Sequence, residues 1–550
     1  MRFSRLSLSA RIARVAAAAL LSVIPAAAPV YAGLQTASSA SGQSPQAVRR
    51  PAPQQPPAGE ARVEAPAAER PLSVTRHTVT IEGKSVPYTA TAGELVILKQ
   101  NEAPGAAMFF VAYTRDDVRD RASRPLTFCF NGGPGSSTVW LHLGGLGPKR
   151  VAMDDEGRPT DPPYGLVDSE FSILDITDLV FVDAVSTGFS RPLSGENGNQ
   201  FHGVQEDAAA FAEFIRAYLT RFERWDSPKY LLGESYGTTR AAALSGVLQG
   251  RTYGIFLNGI VLVSSVLDFG TLTFAPGSPL AYILFLPHYT ATAWYHKRLP
   301  ADLLAKPVSE VLIQAREFAF KEYAPALLKG NLLEGTAYEA VAARTAAFTG
   351  LSADYIKRAN LRVRHDRFVK ELLRDKRLVV GRLDSRFTGL EADAAAETYE
   401  SDPSSSLIMG AFATRLNHYV TTVLKFRKDI PYAVYGNVYP WNYSLLPSAW
   451  PGRQSQQQAA AASSRQAPLN VAETLRRSLA DNSGLRIFSA NGYYDGATPF
   501  FGTEYTFAQV GLAGEFKDRV KFGYYEAGHM MYIHKPSLMR LKRDLAAFIR

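Results

Sequence analysis

Apolar and polar positions punctuate this chain of 550 residues into short elements. Polar and apolar side chains alternate over His77-Thr78-Val79-Thr80-Ile81. Glu82-Gly83-Lys84 offers a turn, and Val86 to Thr91 reads as a returning strand. A further strand is predicted over Met108 to Tyr113, and these front strands are expected to pair antiparallel. The pattern then changes to unbroken apolar runs: Leu126 to Phe130, Asp178 to Asp183, Tyr230-Leu231-Leu232 and Gly259 to Ser264. Between them, Phe211, Phe214, Ile215, Tyr218 and Leu219 recur at helical spacing within Glu206 to Phe222, and Thr238 to Leu248 reads as a second helix. Apolar strands alternating with helices predict a mostly parallel central sheet flanked by helices.

Beyond residue 285 the strand signal fades. Ala301 to Tyr323 and Tyr355 to Asp375 read as helices, so 286–445 is expected to be a helical cap insertion over the sheet. Gln454 to Ala462 lies in a low-complexity loop, 446–467. Strand and helix then alternate again over 468–550, with strands at Leu485 to Ala490 and Val520 to Tyr525 and a last helix at Ser537 to Ile549. The α/β core thus comes in two parts, 73–285 and 468–550.

Composition changes this picture mainly at the N-terminus. Four arginines, Arg2, Arg5, Arg11 and Arg14, precede the apolar stretch Val15 to Ile24, and Val30-Tyr31-Ala32 ends on a small residue. Residues 1–32 therefore read as a cleaved signal peptide; the run is too short to span a bilayer, for which about 20 apolar residues are needed. Residues 33–72, rich in Ala, Pro and Gln, read as a disordered tether. The expected location is the periplasm or the exterior, with no membrane span after signal cleavage. The net charge of +9 comes without a long Lys/Arg run, so no nucleic-acid partner is expected. Cys129 is the only cysteine, which excludes an internal disulfide and cysteine-rich metal sites; it reads as a small buried hydrophobe on its strand. No metal cluster or cofactor motif is found, and nothing in the sequence fixes the oligomeric state.

Candidate chemistry lies in four loops. Gly233-Glu234-Ser235-Tyr236-Gly237 is a G-x-S-x-G turn between an apolar strand and an Ala-rich helix, which would expose the Ser235 hydroxyl. Asn131-Gly132-Gly133-Pro134-Gly135 follows the Cys129 strand and can turn backbone N–H groups toward developing negative charge. A phosphate loop is disfavoured there, since the Gly-Lys-Ser/Thr ending is missing. Serine needs a base. His529, after a strand and Gly528 and before the last helix, ranks above His534 and His418. Asp495, just past the Leu485–Ala490 strand, is placed to orient that imidazole. The order Ser235, Asp495, His529 is that of the α/β-hydrolase fold, in which Gly133 N–H and Tyr236 N–H would form the oxyanion hole.

Together these residues resemble the serine carboxypeptidase family, as an exported bacterial member. Asn131 to Ser137 is similar to its N-G-G-P-G-C-S loop, Ser186 to Ser190 to its G-T-G-F-S turn, and Gly233 to Gly237 to its G-E-S-Y-(A/G) motif. Asp495 with Pro499 matches D-x-x-x-P, and Ala527 to Met530 matches A-G-H-M. The resemblance implies peptide substrates and release of C-terminal residues, the terminal carboxylate being held by Asn131, Gly132 and Glu234. It also implies a second glutamate where this chain has Gly145, and a disulfide cysteine where it has Ser136. Paired carboxyls favour acidic pH, so the missing one bears on both pH preference and exopeptidase character. Arg382 and Arg386, in Gly381 to Arg386 of the cap, are candidate substitutes that would grip a carboxylate from above; solvated surface charge is their other reading. An esterase or acyltransferase on the same scaffold is the rival activity, and a non-catalytic binding protein the second rival.

Overall fold

The computed structural model describes residues 71–99, 101–445, 468–512 and 514–550. The signal peptide over 1–32, nearly all of the tether over 33–72 and the loop over 446–467 lie outside the described residues. Nine strands make the central sheet: β1 (Ser73–Ile81), β2 (Lys84–Leu98), β3 (Pro104–Arg115), β4 (Leu126–Phe130), β5 (Asp178–Val182), β6 (Lys229–Glu234), β7 (Gly259–Val263), β8 (Arg486–Gly492) and β9 (Val520–Tyr525). Their spatial order is β1-β2-β3-β5-β4-β6-β7-β8-β9, and a short piece at Arg191–Pro192 adds to β3. The front three strands pair antiparallel and β3 joins β5 antiparallel; every pair from β5 through β9 is parallel.

The unbroken apolar runs follow from this pairing, because a parallel strand covered on both faces must be apolar on both. Alternate residues feed two cores. Leu231, Ile260, Leu262 and Ile487 pack with α1 (Val204–Arg221), α2 (Tyr236–Gln249) and the helix Ala472–Asp481. Tyr230, Leu232, Val261 and Val263 pack with Leu541, Leu545 and Phe548 of the last helix, Lys535–Ile549. The strand order, the parallel right-hand half and the strand-to-helix turn at Ser235 are those of the α/β-hydrolase fold.

A third core belongs to the helices from Leu280–Tyr295 to His365–Glu371, built on Leu284, Val311, Leu312, Phe318 and Phe368, whereas Ile408, Phe412, Leu416 and Tyr419 of the later helices Pro403–His418 and Tyr419–Val423 join the core shared with the last helix. The expected helical stretch 286–445 differs at both ends. Helix begins six residues earlier, and beyond Leu424 the chain runs extended along the sheet's loops: Ala433 pairs with Gly188, Tyr435 with Ser136 and Asn442 with Gly203. This strap has no periodicity because its partners are loops.

Candidate active site

In open parallel sheets, ligands gather where strands end at their carboxyl edge. Five strands here deliver their following loops to that edge. Asn131 follows β4, Asp183 follows β5, Ser235 follows β6, Asp495 lies three residues past β8, and His529 four past β9.

Ser235 sits at φ 60° and ψ −128°, a strained corner between β6 and α2. Its flanking glycines are required by proximity: a Cβ on Gly233 would lie 2.1 Å from the Gly237 carbonyl, and one on Gly237 2.7 Å from the Phe130 carbonyl. The Ser235 N–H donates to Val263 O at 3.0 Å, and the first turn of α2 closes on Ser235 O through Thr238 N at 2.8 Å. Among the described residues, neither the Gly133 nor the Tyr236 N–H donates a hydrogen bond within the chain, so both are free for an incoming oxygen.

His529 Nδ1 donates to Asp495 Oδ2 at 2.8 Å. The same oxygen accepts from Thr498 Oγ1 at 2.7 Å, and Oδ1 accepts the N–H groups of Ala497 and Thr498 at 2.8 and 2.9 Å. Burial alone would raise the Asp495 pKa, but the charge and hydrogen bond of His529 and the Thr498 donors outweigh it, leaving the carboxylate below its usual range. For His529 burial acts downward; the charge and hydrogen bond of Asp495 overcome it and leave the imidazole more basic than usual. With Nδ1 committed to Asp495, Nε2 is the atom available to move a proton.

Ser235 and His529 line one cavity of about 530 Å³. Asn131, Gly132, Gly133, Glu234, Tyr236 and Arg382 line it too, while Asp495 is fully buried behind His529. Asn131 Oδ1 accepts from Leu141 N at 3.0 Å, and its side chain also bonds Glu234. The Tyr532 hydroxyl donates to Glu234 Oε2. Burial lifts the Glu234 carboxyl to about 7, only partly opposed by His529, Tyr532 and Asn131. Gly145 has φ 133°, and a Cβ there would meet Leu538 at 2.7 Å; one on neighbouring Gly144 would meet the Tyr532 ring at 2.3 Å. Tyr532 and Leu538 thus fill the space beside the position where a second glutamate was expected.

The two cap arginines part ways. Arg382 is exposed on the cavity, and among the described residues its guanidinium has no partner. Arg386 is buried 5% exposed, bonded to Asp384 at 2.7 Å and to Glu156 at 3.2 Å, and does not line the cavity. The expectation of a substrate contact at Arg386 is corrected on that ground, because a guanidinium already paired and desolvated has no donor to offer.

Residues 86–269 match the serine carboxypeptidase family model. This carboxypeptidase match takes in the Asn131 loop, the Ser186–Ser190 turn and Ser235, and stops short of Asp495 and His529. Among curated relatives, the pheromone-processing carboxypeptidase KEX1 of Saccharomyces cerevisiae is 33% identical over 135 residues, 23% of this chain and 17% of that protein. Serine carboxypeptidase-like 36 of Arabidopsis thaliana is 28% identical over 155 residues, 28% of this chain and 30% of that one. The matched stretch therefore spans less than a third of the length of either relative. Among solved structures, a prohormone-processing carboxypeptidase from Saccharomyces cerevisiae aligns over 84% of this chain and 91% of its own, with a TM-score of 0.49 and 16% identity.

Several cavity residues carried no sequence signal. Trp140 and Ile408 line one side, Phe269 and Leu272 another, and Tyr435 and Tyr439 of the strap stand 52% and 60% exposed at the mouth. Thr498 was legible only as part of the Asp495–Pro499 motif, and Tyr532 only as a neighbour of His529.

Proposed function

We propose that this chain is a serine hydrolase of the carboxypeptidase kind, releasing C-terminal residues from peptides through an acyl-enzyme. The observation that carries this reading is the bond from His529 Nδ1 to Asp495 Oδ2 at 2.8 Å beside a strained Ser235 on the same cavity. Ser235 Oγ attacks the scissile carbonyl carbon and gives its proton to His529 Nε2. The oxyanion is held by the N–H groups of Gly133 and Tyr236. Collapse breaks the C–N bond, His529 protonates the leaving amine, and water, deprotonated by the same imidazole, releases the acid and restores Ser235.

At one end of the cavity, Asn131, Gly132 and the protonated form of Glu234 suit a terminal carboxylate, and the unpaired Arg382 supplies the positive charge that a second glutamic acid would not. The N-terminal 32 residues favour export to the periplasm or the medium. Gly145 favours a second reading, ester hydrolysis or acyl transfer on the same frame, because one carboxyl fewer weakens the requirement for a free C-terminus.

The decisive experiment incubates the protein with a peptide mixture and its C-terminally amidated counterpart at about pH 4.5 and about pH 7.5, bracketing Glu234. Mass spectrometry should find stepwise loss from the free C-terminus and little from the amides. Ser235→Ala should lower kcat by on the order of 10⁴–10⁶. Retained turnover in that variant would remove the mechanism. Ester cleavage without peptide cleavage would select the second reading.

A further inference from the structure

The cap segment 382–385 is stitched to both loops that carry the acid and the base. The Gly496 N–H donates to Arg382 O at 3.0 Å, and Ser385 N–H to Tyr494 O at 3.0 Å, on either side of Asp495. The His529 N–H donates to Leu383 O at 2.7 Å. The Gly528 N–H donates to Asp384 Oδ2 at 3.1 Å. The fit is close enough that a Cβ on Gly528 would lie 2.5 Å from the Cα of Asp384. On its far side the segment is tied to the start of the helix Pro403–His418: Arg382 and Leu383 N–H bond Asp402 at 3.0 and 3.1 Å, and Leu383 and Asp384 N–H bond Ser404 Oγ at 3.1 and 3.2 Å.

Asp384 is the one side chain in this stitching that acts directly on the histidine loop. Its carboxylate is 3% exposed and is gripped by Arg386 through Nε and Nη2 and by the Arg386 N–H. A buried pair of this kind adds little net stability, since desolvation offsets its attraction. What it provides is an acceptor of fixed position. The loop between β9 and the last helix holds His529 by its carbonyl, which accepts from Ser264 Oγ at 2.6 Å. Ala527 O of the same loop accepts from Tyr494 N–H at 3.0 Å, while the N–H groups of Gly528 and His529 are anchored by the cap segment.

We infer that Asp384, locked by Arg386, is a positioning residue that acts through Gly528 to hold the His529 imidazole in register with Ser235, making the cap part of the catalytic frame. The inference rests on the hydrolase reading above. It also gives Arg386 a task in place of the substrate contact expected from sequence.

Two variants test it: Asp384→Asn, and the double replacement Asp384→Leu with Arg386→Met, which removes the buried charges together and keeps the fold accessible if the single variant does not fold. Exhaustive labelling with a fluorophosphonate counts competent Ser235 sites, and turnover of a chromogenic ester is then expressed per labelled site. Expected are a kcat per site lower by on the order of 10–100-fold, a KM changed less than about twofold, and a shifted or lost downfield proton resonance of His529 Nδ1–H. A merely structural Asp384 would reduce the number of labelled sites or the melting temperature and leave kcat per site and the resonance as in the parent; that result overturns the inference. Absence of label on Ser235 in the parent protein would instead end the hydrolase reading, before any variant is compared.

Discussion

Glu234 shows how far surroundings set the chemistry of one side chain. Buried in the cavity wall, it has Tyr532 and Asn131 as partners, and burial lifts its carboxyl from 4.5 to about 7. The folded protein therefore keeps this proton over a range in which the unfolded chain has already lost it. Its contribution to stability is complete below about pH 4.5 and is lost as pH rises through about 7. Urea unfolding at about pH 5 and about pH 8 should show Glu234→Gln gaining on the parent by a few kcal/mol at the higher pH, the neutral amide having no proton to lose. An unchanged difference between the two proteins at both pH values would mean that Glu234 stays ionised in the fold.

At the scale of elements, the loop after β4 and the turn after β6 are fitted to one another at backbone distance. A Cβ on Gly132 would lie 2.4 Å from Tyr236 N and 2.5 Å from Gly237 N, with only backbone to yield. Gly132→Ala is expected to lower kcat by more than about 100-fold by moving the Gly133 and Tyr236 N–H groups proposed to hold the oxyanion, measured against the same ester and with labelled sites counted. These loops were legible in sequence because each is a contiguous string bounded by an apolar strand: Leu126 to Phe130 before Asn131, Tyr230 to Leu232 before Gly233, Leu485 to Ala490 before Asp495. That order leads Ser235, Asp495 and His529 to one edge of the sheet, where His529 bonds Asp495 and shares a cavity with Ser235. The braces did not. Asp384 meets Gly528 across 144 positions, and Tyr532 meets Glu234 across 298, contacts that no local pattern records. Arg386 was misjudged because its partner, Asp384, sits two residues away in a motif that reads as surface charge. The strap over 431–442 fell inside the expected cap insertion of 286–445, because only its loop partners, Gly188 and Ser136 among them, reveal its extended course.

At the scale of the whole molecule, the sheet is secured at the end opposite the cavity. Asp178, 1% exposed at the start of β5, accepts from Arg124 Nε and Arg224 Nη1, each at 2.7 Å. It also accepts from the backbone N–H of Arg115 at 3.1 Å, so one carboxylate joins the ends of β3, β4 and β5 with the segment leading to β6. Taking its charge away would strand two buried guanidinium groups. Asp178→Asn should cost about 3–5 kcal/mol in urea unfolding. Fluorophosphonate labelling of Ser235 should survive at low temperature, since Ser235 lies at the other edge of the sheet.

Cys129 is the penultimate residue of β4, fully enclosed, with burial pushing its thiol well above the usual range. Sulfur-directed reagents therefore have nothing to attack in the native protein, and an inhibition assay can separate serine chemistry from adventitious thiol chemistry without engineering. The same atom becomes a clock when the sheet opens: each alkylation event marks one chain that has parted its central strands.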